Sequence, residues 1–115
     1  MTTIALHPTP QIRDGEAEAM LDEIYPEVLD LVTRAIESTT EGVKISKIDV
    51  RTSVWTGAWR ELVFDIEVRA GIKPAFDYWW GLEEFIENGT DSLTQPARTQ
   101  LAENVAIRVN PIDAD

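Results

Sequence analysis

Cysteine is absent from this chain, which excludes disulfides, thiolate metal sites and a cysteine nucleophile. Histidine occurs once, as His7, beside Pro8 in an aperiodic arm, so a histidine general base for a nucleophile is not expected. No run of about 18 apolar residues exists, and no transmembrane helix is expected. The start, Met1 to Pro8, has neither the basic opening nor the apolar stretch of a signal peptide, and a cytoplasmic location is expected. Positive charge is scarce too. Ten Lys and Arg face twenty-one Asp and Glu, for a formal net charge of −11. Lys44, Lys47, Lys73 and the arginines are scattered among acids, so neither nucleic acid nor a membrane is an expected partner.

What remains is ordinary globular material. At 115 residues, 43% apolar and 27% charged, the chain has the size and composition of one domain with its own core. The expectation is a single acidic α+β domain over residues 1–115, loose at 1–13 and 111–115. The acid surplus reads either as solubility in a salt-adapted proteome or as steering toward a basic partner.

From Asp14, an N-cap candidate, Met20, Leu21, Ile24, Val28, Leu31, Ala35 and Ile36 recur at helical steps. Pro26 interrupts them and predicts a kink or two abutting helices. The period then drops to two. Ile48, Val50, Thr52 and Val54 alternate with polar residues, and after Trp55-Thr56-Gly57-Ala58-Trp59 so do Leu62, Phe64, Ile66 and Val68. Pairing Trp55 with Trp59 turns both even sets inward and sets Asp49 opposite Asp65 on the outer face. Pro74 opens a helix running from Phe76 to Asn88, with Tyr78, Trp79, Leu82, Phe85 and Ile86 as its core stripe and Asn88-Gly89 as its stop. A short helix capped by Asp91 or Ser92 runs to Asn104, and Val105, Ile107 and Val109 form a last strand closed by Pro111. The fold class is therefore α+β, a two-layer sandwich of element order α-β-β-α-α-β. An antiparallel hairpin plus a C-terminal strand is covered on one face by helices.

That order is similar to the type II KH arrangement of RNA-binding domains. The resemblance implies a Gly-x-x-Gly clamp between the paired helices. Here the turn reads Gly89-Thr90-Asp91-Ser92, which lacks the second glycine and places an acid where phosphate would sit.

No P-loop, dinucleotide fingerprint, EF-hand spacing or Gly-x-Ser-x-Gly occurs. No cofactor, no metal and no catalytic residue is expected. Asp49, Asp65 and Glu67 on the outer sheet face have Lys47 and Arg51 as compensating neighbours. The tryptophans carry more information. Trp55 and Trp59 are expected to stack outward on the hairpin, with Val63 and Ile45 beyond them. With Asp49, Asp65 and Glu67 they make a candidate partner-binding surface of apolar anchors and negative charge. The expected function is a non-catalytic protein–protein interaction module, either self-associating as a homo-oligomer or an acidic binder or inhibitor of a basic partner. Phe76, Tyr78 and Trp80 form an alternative small-ligand site for a sugar or a cation. A structural subunit of a larger assembly is a further alternative.

Overall fold

Helix formation begins directly after Asp14, whose Oδ1 accepts the Ala17 amide at 2.7 Å. The structure, a computed structural model, describes residues 6, 8–38, 43–54 and 60–112. Helix α1 (Gly15–Glu23) ends where Ile24 turns extended, and α2 (Pro26–Ser38) restarts at Pro26. The proline thus divides two helices, since its missing N–H has no consequence in a first turn. Val28, Leu31, Val32, Ala35 and Ile36 line the buried stripe of α2.

Four strands form one sheet in the order β1 (Gln11–Ile12), β2 (Lys44–Val54), β3 (Arg60–Arg69), β4 (Val105–Ile112). The hairpin β2–β3 is antiparallel, and the expected register holds from Lys47 opposite Glu67 to Val54 opposite Arg60. Trp55 and Trp59 themselves lie outside the described residues, as does His7. Both outer pairs are parallel. Each parallel pair is bridged by two helices: α1 and α2 between β1 and β2, α3 (Ile72–Thr90) and α4 (Gln95–Asn104) between β3 and β4. The proline-bearing arm therefore contributes a strand, and Pro111 continues β4 instead of closing it. As an edge strand, β4 tolerates a residue without a backbone donor.

Helices cover one face of this mixed sheet. Ile48, Val50, Leu62, Phe64, Ile66, Val68, Ile107 and Val109 share a single core with Leu21, Val28, Ile36, Tyr78 and Leu82. Period-two alternation gives the other face Lys47, Asp49, Arg51, Val63, Asp65, Glu67, Arg108 and Asn110.

Two local departures from the expected pattern have clear causes. The register shifts between Ile45 and Lys47, so Ser46 is an extra residue. This bulge sets Ile45 beside Val68 and against the core, not on the outer face. Its hydroxyl donates to the Glu67 carbonyl at 3.2 Å. Gly89, expected to stop α3, lies inside it. A Cβ there would sit 2.4 Å from Leu31 Cδ1. Gly89 is a close-approach residue where α3 crosses α2, and the helix runs on through Thr90.

Candidate functional site

Helix α3 is apolar on two sides. Ala75, Tyr78 and Leu82 are buried against the core. At about 100° per residue, Ile72, Phe76, Trp79, Trp80 and Glu83 fall within roughly 100° of arc on the adjoining, outer side. Their exposure follows: Ile72 80%, Phe76 56%, Trp80 66% and Trp79 37%. Phe76 and Trp80, one turn apart, stack with centroids 6.0 Å apart and planes at 24°. The Trp79 indole Nε1 donates to Glu83 Oε1 at 3.2 Å, which holds that carboxylate beside the rings. Phe76, Trp79, Trp80 and Glu83 line one cavity of about 270 Å³.

This arrangement corrects two sequence-based assignments on α3. Tyr78, a candidate ligand residue, is only 3% exposed and donates its hydroxyl to the Ile36 carbonyl at 3.0 Å. It fastens α3 to α2 and does not reach the cavity. Trp79, assigned to the core stripe, stands at the stripe's edge and joins Phe76 and Trp80 instead. The second stripe was legible: positions 72, 76, 79, 80 and 83 repeat at i, i+4, i+7, i+8 and i+11, a second helical face beside the one assigned.

Charge around the rings is negative. Helix α3 carries Asp77, Glu83, Glu84 and Glu87 against one cation, Lys73. That lysine is engaged with Asp77 at 3.1 Å.

The sheet-face candidates are arranged differently. Asp49 does stand opposite Asp65, and like charges so placed need compensation. Arg13 Nε reaches Asp49 at 3.0 Å, Lys47 Nζ reaches it at 3.5 Å, and Arg51 Nε pairs with Asp65. Asn110 Nδ2 donates to Asp65 Oδ1 at 3.4 Å. Lys47, Asp49, Asp65, Glu67 and Asn110 line a cavity of about 210 Å³. Asp49 and Asp65 are thus matched by basic neighbours, and the Glu67 carboxylate accepts the Ser46 hydroxyl at 3.4 Å. Among the described residues no group of His, Cys, Asp and Glu could hold a metal ion. Val63 is 0% exposed, so it is not an outward anchor: the Arg51 and Ala106 positions flank it on its own face.

A third concavity, about 520 Å³, opens between α3, α4 and β4, with Glu87, Arg98, Leu101, Val105 and Ile107 in its wall. It exists because α4 folds back beside β4, which no local pattern announces. Glu83 borders both this cavity and the aromatic one. No helix among the described residues is long and apolar enough to cross a membrane. No protein-family model, curated protein or solved structure matches the chain.

Proposed function

We propose that this protein is a non-catalytic interaction module that engages a basic protein partner through the outer face of α3. The exposed ring cluster of Phe76, Trp79 and Trp80 carries the reading. Large aromatic side chains left in water on a regular helix are unfavourable at roughly 25 cal/mol per Å², and clustered aromatics are the usual anchors of interfaces. Surrounding carboxylates and a chain charge of −11 favour a cationic partner over a second copy, whose own acids would repel.

The reading rests on α3 because Trp55 and Trp59 of the hairpin lie outside the described residues, Val63 is buried, and Asp49 and Asp65 already have basic partners. A cavity of about 270 Å³ stands at the lower edge of the roughly 300–1,000 Å³ of small-molecule sites. It fits a partner's side chain better than a free metabolite.

Selection from a random peptide display library tests this. Wild-type protein is expected to enrich peptides combining Lys or Arg with an apolar residue. The Phe76→Ala/Trp80→Ala double variant is expected to bind them about tenfold or more weakly. Enrichment of neutral or acidic peptides, or equal binding by the variant, would refute the proposal.

A further inference from the structure

We infer that the cavity bounded by Phe76, Trp79, Trp80 and Glu83 is a receptor for an arginine side chain of the partner. This rests on the reading of α3 as the binding face and names the group that face grips. The chemistry of the walls selects the occupant. Three aromatic rings supply π-faces, and one carboxylate supplies the charge. Indole faces attract cations, arginine more often than lysine. A guanidinium is planar, weakly hydrated and able to lie flat on a ring while its edge forks onto a carboxylate. An ammonium is a compact, strongly hydrated charge, and stripping its water against apolar rings is unfavourable.

Glu83 is set up for that second contact. Its Oε1 accepts the Trp79 indole N–H at 3.2 Å, which limits the carboxylate's rotation and ties it to the ring cluster. Trp80, 66% exposed and stacked on Phe76, has a preorganised neighbour on one side and open space for a guanidinium on the other. A side chain seated there covers apolar ring surface and neutralises one of the four carboxylates of α3. Lys73, the single cation of α3, is paired with Asp77 instead of Glu83.

The test titrates the full chain, labelled with nitrogen-15, with three probes: N-acetyl-arginine amide, N-acetyl-lysine amide and the neutral isostere N-acetyl-citrulline amide. The indole N–H resonances of Trp79 and Trp80 report binding. Arginine amide is expected to shift both saturably, and to bind about fivefold or more tightly than either comparator. Glu83→Gln keeps an acceptor for the Trp79 N–H and removes the charge. It is expected to bring arginine amide down to the citrulline level and to leave citrulline amide unchanged. Equal binding of arginine and lysine amides would reduce the effect to long-range attraction by an acidic protein, and would overturn the inference. So would equal binding of arginine and citrulline amides, an unaffected Glu83→Gln variant, or no saturable shift. The two claims fail separately. If the library yields basic, apolar peptides that need Phe76 and Trp80 while the probes do not discriminate, the interaction face stands and the arginine receptor falls.

Discussion

Asp14 does more than start a helix. Its Oδ1 accepts the Ala17 amide, and the same carboxylate accepts the Thr52 amide at 3.2 Å and the Thr52 hydroxyl at 3.2 Å. One side chain thereby joins the first turn of α1 to the end of β2. The Ala17 N–H, opposed by burial and helped by the Thr52 groups, holds the Asp14 carboxyl below its ordinary value of 3.8. A lowered folded pKa means the stabilisation is complete above that ordinary value and fades as pH falls through the folded one. Asp14→Ala is therefore expected to cost about 1 kcal/mol at neutral pH. Urea unfolding should show the gap to wild type narrowing as pH falls below the ordinary value of 3.8. A gap that stays constant on acidification would place the effect elsewhere than in the ionised cap.

Among the elements, the α2–α3 crossing decides what α3 can present. Gly89 lets the two helices approach, Leu31 fills the space, and the Tyr78 hydroxyl bonds to Ile36. These contacts fix the rotation of α3, which turns Phe76, Trp79 and Trp80 outward. Alanine at 89 would gain about 1 kcal/mol of helix propensity and lose roughly 1–3 kcal/mol to overpacking against Leu31. Because Leu31 is only 2% exposed and has little room to withdraw, overpacking should win. Gly89→Ala is expected to destabilise by about 1 kcal/mol. In a Leu31→Ala background the same change is expected to be stabilising, a sign reversal that chemical denaturation of the four-member cycle would detect. Additive behaviour would show that the two residues do not touch.

Over the whole molecule, two β-α-α-β halves meet at the antiparallel β2–β3 pair, and helices shield one sheet face only. The open face carries the Arg13–Asp49, Lys47–Asp49 and Arg51–Asp65 pairs, whereas the helical side carries the exposed rings of α3. A net charge of −11 repels itself in the folded state, and half-exposed pairs such as Arg13–Asp49 offset only part of that repulsion. Screening should therefore stabilise this protein. The melting temperature at neutral pH is expected to rise by about 3 °C or more between about 20 mM and 500 mM NaCl. A fall would mean that the surface ion pairs outweigh the repulsion.

Local pattern by itself determined the helix–strand alternation, the break at Pro26, the Asp14 cap and the hairpin register that sets Asp49 against Asp65. Each depends on neighbours a few residues apart or on the two-residue alternation of facing strands. Tertiary structure alone decided the rest. The parallel direction of β1 and β4 comes from the helix pairs that carry the chain back across the sheet. Ser46 flips one stretch of β2, so Ile45 changes faces. Val63 and Tyr78 are buried and Trp79 is half out because burial depends on what packs above a residue, not on its own pattern. An amphipathic stripe says that a helix has a face to bury. Only the packed neighbours on α2 settle how far α3 turns, and so which rings meet water.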